Sequence, residues 1–110
     1  MMHDAEMDRL MPVIRQRCPD PQGQAFLVLD LLNAMEGDVA HFRFRKKDGT
    51  LRSAYGTREP EIIDRYATSG EGGEGAEPRT GTVAFFDIEK RAWRSFRVET
   101  LIDIDRDYVI

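Results

Sequence analysis

Apolar residues in the first 37 positions recur every three or four residues, the spacing at which they share one face of an α-helix. Pro12 lies within this stretch and marks a helix start or a kink, because proline cannot donate an intrahelical hydrogen bond. The sequence CPDP at 18–21 breaks the pattern. A first helix is therefore predicted to end near this point, with an apolar stripe made of Met7, Leu10, Met11, Ile14 and Cys18.

A second helix is predicted from about Gln22 to Met35, with Gly37 as its stop signal. Its central sequence, FLVLDLLNAM, is apolar around most of the helix circumference. A helix of this kind must be covered on more than one side. Two alternatives remain open: the domain's own sheet covers the apolar helix 24–35, or a second copy of the chain does so in a homodimer.

From residue 38 onward, apolar and polar residues alternate as in β-strands, beginning with the segment HFRFRKKDGTLRSAYGT. The dipeptide Asp48-Gly49 favours a two-residue hairpin turn, because both central residues of such a turn need positive φ. The resulting register places Phe42 opposite Tyr55 and Phe44 opposite Ser53. These four residues are predicted to form the core face of the first hairpin.

The other face of the first hairpin is basic. In the same register Arg43 lies opposite Ala54, and Arg45 lies directly opposite Arg52. Like charges paired across strands are destabilising, so water, a carboxylate or a ligand anion is expected between them. These arginines therefore either solvate an outer surface or bind an anionic partner.

A second hairpin is predicted in the segment VAFFDIEKRAWRSFRV, residues 83–98. A turn centred on Lys90-Arg91 sets Asp87 opposite Arg94 and Phe85 opposite Phe96. This register is favoured because it pairs opposite charges and brings aromatic rings together. The opposite face then carries Ala84, Phe86, Ile88, Trp93, Ser95 and Arg97.

The remaining segments complete one structural domain. Pro60, with acidic neighbours, begins a helix of one or two turns, and residues 102–105 form an edge strand. The Gly- and Glu-rich segment 68–81 is too polar to order itself and is predicted to be a flexible loop. The predicted fold is α+β: an N-terminal segment of two helices (1–37) followed by a small five-stranded SH3-like (Sm-like) β-barrel (38–110).

Composition and charge indicate a folded, soluble protein rather than a disordered chain. Of 110 residues, 41 % are hydrophobic and 33 % are charged, and no apolar run is long enough to span a membrane. The N-terminus lacks the pattern of a secretory signal, and the single cysteine fits a reducing compartment, so a cytoplasmic location is expected. The net charge is −4, yet the segments 38–58 and 82–98 are locally positive. A basic face on the hairpins is therefore predicted.

No nucleophile–base pair is apparent along the sequence. Cys18 fits a small buried hydrophobe, His41 a neutral surface imidazole, and His3 has no partner at a ligand-like spacing. Asp103, Asp105 and Asp107 alternate like loose calcium ligands, but a solvated strand edge explains them more simply. No enzyme activity, cofactor or metal site is therefore expected.

The two hairpins carry a family resemblance. The basic strand ending in KDGT, the following Gly56-Thr57, and the later block from Phe86-Asp87 to AWRSF at 92–96 are similar to the WYL-related (WYL_2-type), Sm-like SH3 β-barrel family of small bacterial proteins of unknown function. The resemblance covers about residues 38–105. The Trp-Tyr-Leu tripeptide that names the larger group is absent, since the strand reads TVAFF at 82–86.

The resemblance implies a non-catalytic regulatory module of a bacterial type that binds nucleic acid or a small, nucleotide-like anionic ligand. On this hypothesis the contacts would come from Arg43, Arg45, Arg52, Trp93 and Arg97, with arginines on phosphates and an aromatic ring on a base. The alternative hypothesis is a protein-interaction or self-associating module that uses the apolar helix 24–35. It predicts an oligomer that tolerates salt.

Overall fold

A computed structural model describes residues 3–67 and 80–105. Within these residues the chain forms three α-helices, five β-strands and one 3₁₀ turn. In chain order they are α1 (Asp4–Arg17), α2 (Pro21–Ala34), β1 (Ala40–Arg45), β2 (Leu51–Thr57), α3 (Pro60–Tyr66), β3 (Thr82–Asp87), β4 (Ala92–Arg97), the 3₁₀ turn (Val98–Thr100) and β5 (Leu101–Ile104).

The strands form one antiparallel sheet in the order β4-β3-β2-β1-β5. The α+β class and the five strands are thus confirmed, and the short helix predicted at Pro60 is α3. The predicted closure into a barrel is wrong, because no ladder joins β4 to β5 among the described strands. The fold also has three helices where the predicted class counted two. The greater part of the predicted loop, residues 68–79, lies outside the described residues.

Helices α1 and α2 form a hairpin that covers one face of the sheet. The side chain of Asp20 accepts a hydrogen bond from the Gly23 amide at 3.1 Å, and Pro21 occupies the first turn, so α2 has both features of a well-capped start. Pro12 lies inside α1 and on its exposed side, so it does not begin the helix. No described helix is long and apolar enough to cross a membrane.

The core lies between this helical hairpin and four phenylalanines on the inner face of the sheet. The rings of Phe42 and Phe85 meet edge-on with centroids 5.1 Å apart, and those of Phe44 and Phe96 stack at 5.1 Å. Both geometries are favourable for aromatic pairs. The helices contribute fully buried side chains above these rings: Leu10, Ile14, Val28, Leu31 and Leu32.

The register of the first hairpin differs from the predicted one by a single residue. The turn has three residues, 47–49, closed by a hydrogen bond from the Lys46 amide to the Thr50 carbonyl at 2.8 Å, and Gly49 has φ +88°. A three-residue turn with glycine in the left-handed region is a common alternative to the two-residue turn. The side chain of Asp48 stabilises it by accepting hydrogen bonds from the amide and hydroxyl of Thr50, at 2.9 and 2.6 Å.

This change moves every β2 side chain to the opposite face from the predicted one. Phe42 lies opposite Ala54 and Phe44 opposite Arg52, so the predicted partners Tyr55 and Ser53 are on the outer face instead of the core face. The predicted opposition of Arg45 and Arg52 is also wrong. The pairs on the outer face are His41 with Tyr55, Arg43 with Ser53, and Arg45 with Leu51.

The second hairpin is shifted by two residues, which leaves the faces unchanged. Its turn contains four residues, 88–91, so Val83 lies opposite Phe96 and Phe85 opposite Arg94. The predicted pairing of Asp87 with Arg94 is therefore wrong. The assignment of residues to the core and outer faces is nevertheless correct, because a strand's side chains repeat every two residues.

Glycine is required at position 56 because the phenylalanines pack directly onto its backbone. A Cβ atom added there would lie 2.7 Å from a ring carbon of Phe85 and 2.9 Å from one of Phe42. We expect Gly56→Ala to lower the free energy of unfolding by ~1–3 kcal/mol, since the rings must shift to relieve the overlap. Urea denaturation measures this loss. Ser95→Ala, at an exposed position of β4, is the control, and an equal effect of the two variants would contradict the packing argument.

An ion pair links α1 to the residue that follows β2. The guanidinium of Arg58 donates to both carboxylate oxygens of Glu6, at 2.6 and 2.8 Å, and to the Ala84 carbonyl at 2.9 Å. Burial of Glu6 would raise its pKa, but the hydrogen bond and charge of Arg58 outweigh burial, so the pKa of Glu6 lies below its ordinary value of 4.5.

The direction of this shift fixes how the pair depends on pH. A carboxyl group whose pKa is lowered by folding stabilises the native state above its unfolded pKa and loses that contribution as the pH falls through the folded pKa. We expect Glu6→Gln to cost ~1–2 kcal/mol at pH 7 and to flatten the fall in stability below about pH 4.5. Thermal unfolding from pH 7 to pH 3 tests both effects; Asp8→Asn, on the exposed side of α1, should change neither.

Candidate functional site

Arg43 is neutralised by a carboxylate on the neighbouring strand. Its guanidinium makes a two-pronged contact with Asp103, with Nε donating to Oδ1 at 2.8 Å and Nη2 donating to Oδ2. The hydrogen bonds and charge of Asp103 raise the pKa of Arg43, and the same bonds lower the pKa of Asp103. Arg43 is therefore a poorer anion-binding group than an unpaired arginine. Asp103 is an ion-pair partner and not the solvated edge residue that was predicted.

Arg52 lies on the core side of the sheet and has a structural role. It donates to the carboxylate of Asp87, which is completely buried, and its guanidinium lies 5.9 Å from the ring centre of Phe44. The other oxygen of Asp87 accepts the Lys90 amide at 3.0 Å and so shapes the β3–β4 turn. The predicted grouping of Arg52 with Arg43 on one outer face is wrong, because the hairpin register separates them.

Arg45 and Arg97 also donate hydrogen bonds to groups of the same chain. Arg45 donates to the Gly49 carbonyl at 2.8 Å, across its own turn. Arg97 donates to Glu99 at 3.0 Å, and Arg17 donates to the same carboxylate oxygen at 3.1 Å. Partial burial of Glu99 would raise its pKa, but a backbone hydrogen bond together with those from Arg97 and Arg17 holds the pKa below the ordinary value.

Trp93 packs against the sheet and does not present its ring as an open platform. It meets Phe86 edge-on at 5.9 Å, and its buried indole Nε1 has no hydrogen-bond partner among the described residues. Trp93 and Arg97 lie on β4, which β3 and β2 separate from β1, while Arg52 lies on the opposite face. The structure therefore does not bring the five predicted binding residues together into one site.

Cys18 is half-buried against the core, which agrees with the prediction of a small packed hydrophobe. Burial, and then the negative charge of Glu99, raise the pKa of its thiol. The protonated thiol is the less reactive form. Cys18 is therefore a weaker nucleophile than a cysteine with an ordinary pKa.

The outer face of β1, β2 and β5 carries three hydrogen-bonded side chains that the sequence did not predict to lie together. Nε2 of His41 lies 2.5 Å from Ser53 Oγ, and Nδ1 of His41 lies 3.1 Å from a carboxylate oxygen of Asp105. The ring of Tyr55 stacks on the imidazole, with centroids 4.5 Å apart and planes 13° from parallel. We call Ser53, His41 and Asp105 the outer triad. The predicted register placed Ser53 on the core face, away from His41, so it did not indicate this contact.

A groove between α1 and α2 forms the second candidate surface. It encloses about 450 Å³ and lies on the side of the helical hairpin that faces away from the sheet. Phe26 borders the groove with 61 % of its surface exposed. Leu29 lines the groove, whereas Leu32 of the same helix is fully buried in the core. The apolar lining consists of Met7, Met11, Pro21, Ala25, Phe26 and Leu29.

Removal of the arginine from the ion pair between Arg52 and Asp87 tests whether Arg52 stabilises the fold more than Arg45 does. We expect Arg52→Met to lower the free energy of unfolding by ~3 kcal/mol, because it leaves a buried carboxylate without its cation. Arg45→Met, at an exposed position of the same hairpin, should change stability by less than ~0.5 kcal/mol. Chemical denaturation of both variants measures the difference. Similar values for the two would show that the Asp87 pair contributes little.

Comparisons with known proteins identify the family. Residues 28–102 match the family model described as WYL_2, Sm-like SH3 beta-barrel fold. An uncharacterised 11.5 kDa protein from the Gp31-cd intergenic region of Enterobacteria phage T4 is 31 % identical over 67 residues, which are 61 % of this chain and 66 % of that relative. No solved structure matches the chain. Because the family model covers the chain from the second half of α2 to the first half of β5, well over half of the sequence, the chain belongs to the WYL_2 family.

Proposed function

We propose that this chain is a self-associating protein-interaction module, in which two copies pair through the face formed by α1 and α2. The observation that carries the proposal is the exposed Phe26 beside the apolar groove. In a two-fold dimer the same surface serves both partners, so a projecting side chain and a recess on one surface complement themselves. Phe26 of each copy would enter the groove of the other.

The polar ends of the groove support a second copy as the occupant. A connection of three residues makes α1 and α2 antiparallel neighbours. Asp4 lies at one end of the groove and Arg15 at the other, about 16 Å apart along α1 at 1.5 Å per residue. A two-fold axis perpendicular to the helices would place Arg15 of each copy against Asp4 of its partner. The surface thus complements itself in charge as well as in shape.

The polar residues beside the apolar stripe extend this pattern to α2. Gln22 lies near the Arg15 end and Asn33 near the Asp4 end, so amide groups border both ends. A hydrophobic centre with a polar rim is the usual composition of a protein–protein interface. Burial of a phenylalanine side chain contributes about 1.5–3 kcal/mol, and the two-fold axis doubles that contribution.

The arrangement of arginines gives less support to nucleic-acid binding. Arg43, Arg52 and Arg97 each donate to a carboxylate of the same chain. Binding to phosphate would have to displace these carboxylates or tolerate their repulsion, whereas nucleic-acid affinity comes largely from cations that neutralise phosphates. A dimer held by an apolar groove uses none of the three.

The oligomeric state tests the proposal. We expect sedimentation-equilibrium measurements of the full chain to show a monomer–dimer equilibrium, and Phe26→Glu to shift it to monomer. The side chain of Phe26 is already exposed, so this substitution should leave the thermal unfolding of the monomer nearly unchanged. Leu51→Glu, at another exposed apolar residue outside the groove, is the matched control and should dimerise normally. A wild type that stays monomeric at all concentrations would overturn the proposal.

A charge exchange tests the orientation of the two copies. We expect Asp4→Arg or Arg15→Glu alone to weaken the dimer, because each places like charges against each other across the two-fold axis. The double variant Asp4→Arg/Arg15→Glu should recover affinity, since opposite charges meet again. The same dissociation constants, measured at low and high salt, report the ionic contribution. Failure of the double variant to recover would contradict the antiparallel arrangement.

A further inference from the structure

The geometry points to Ser53 as an activated nucleophile on the outer sheet face, with His41 as its general base and Asp105 as the positioning residue of that base. The three side chains come from β2, from β1 and from the residue after β5. Their hydrogen bonds run in the order carboxylate, imidazole, hydroxyl. This order is the one that acyl-transfer chemistry uses to generate a serine nucleophile.

The hydrogen bonds define the direction of proton transfer. A carboxylate oxygen only accepts hydrogen bonds, so Nδ1 of His41 carries the proton that it donates to Asp105. In neutral imidazole the other nitrogen, Nε2, is then an acceptor, and it receives the hydroxyl proton of Ser53 at 2.5 Å. His41 is therefore in the tautomer required of a base toward Ser53.

Packing holds the imidazole and the carboxylate in this arrangement. Tyr55, directly opposite His41 on β2, stacks on its ring. The backbone amide of Asp105 donates to the His41 carbonyl at 2.8 Å, which places the Asp105 side chain beside the imidazole. A fixed base needs no reorganisation before reaction, which is the main advantage of a preorganised site.

The surroundings of Ser53 indicate the class of substrate. Ser53 is exposed, and its partner across the β1–β2 ladder is Arg43, whose guanidinium is held by Asp103. Because Asp103 already neutralises Arg43, this guanidinium offers little stabilisation to the negative oxygen that develops when a carbonyl group is attacked, which favours a substrate with a good leaving group. The exposed hydroxyl of Ser53 can be reached from the surface by a small reacting group. The substrate class is therefore a small, activated ester whose reacting group meets Ser53 at the surface.

The reaction balances without any further reagent besides water. Ser53 Oγ forms a bond to the ester carbonyl carbon while its proton passes to His41 Nε2. The bond from that carbon to the leaving alkoxide breaks, and the alkoxide takes the proton. Water then attacks the acyl-serine and gives a proton to His41. The proton moves to Ser53 Oγ as the carboxylic acid leaves, which restores the starting state.

Covalent labelling of the full chain with a fluorophosphonate probe tests the assignment. Attack by Ser53 forms an oxygen–phosphorus bond and releases fluoride, so intact-mass spectrometry reads one added phosphonyl group. We expect Ser53→Ala to abolish labelling. Ser95→Ala is the matched control, because Ser95 is also exposed on the outer face but belongs to β4, away from His41, and it should label as fast as the wild type. His41→Gln should slow labelling by ~10²-fold or more.

A pH profile separates the role of Asp105 from a merely structural one. The charged groups around the imidazole are Arg43, Asp103 and Asp105. Asp105→Asn should shift the pH at which labelling reaches half its maximum, with thermal unfolding measured alongside to exclude a loss of fold. Labelling that persists in Ser53→Ala, or a rate and pH profile unchanged in His41→Gln, would overturn the proposal. Neither result bears on dimerisation, since the groove lies on the opposite side of the sheet.

Discussion

The hydrogen bond from the Lys46 amide to the Thr50 carbonyl fixes the register of β1 against β2, and the placement of most other groups follows from it. With three residues in the turn, Ala54 and Gly56 face inward and leave room for the phenylalanine rings. The same register turns Arg52 toward the buried Asp87 and turns Ser53 outward beside His41. A turn one residue shorter would exchange the two faces of β2 and remove all of these contacts.

The sequence identifies the elements more reliably than their pairing, and the reason is physical. Apolar periodicity reports which face of a strand is buried, so the inward positions of Phe42, Phe44, Phe85 and Phe96 were predictable. Turn length depends on a balance of local hydrogen bonds, such as those of Asp48 with Thr50, that a dipeptide pattern does not resolve. For the second hairpin, the two-residue error in the predicted register left each residue on the correct face, because side chains along a strand repeat every two residues. For the first hairpin, the one-residue error assigned every side chain of β2 to the wrong face.

Charge pairing was the least predictable property, because the partners are distant in sequence. A local argument matched Asp87 with Arg94, whereas its partner is Arg52, 35 residues away. Arg43 likewise binds a carboxylate 60 residues further along the chain. Three of the arginines predicted to bind an anionic partner are therefore paired with carboxylates of the same chain: Arg43, Arg52 and Arg97. Of the two alternatives for the second helix, coverage by the domain's own sheet holds for Val28, Leu31 and Leu32, which are buried in the core. Phe26 and Leu29 line the groove instead, and their coverage by a second copy stays a prediction.

The position of β1 between β2 and β5 has a consequence for folding kinetics. Its contacts with β2 close a short loop, but its contacts with β5 join residues about 60 positions apart, and the entropy of loop closure delays such pairings. We therefore expect the helical hairpin and the β1–β2 hairpin to form early and β5 to dock late. The outer triad needs Asp105, which follows β5, so it is assembled only in the final stage. A folding intermediate would then display the groove before the triad exists, and the two surfaces would appear in a fixed temporal order.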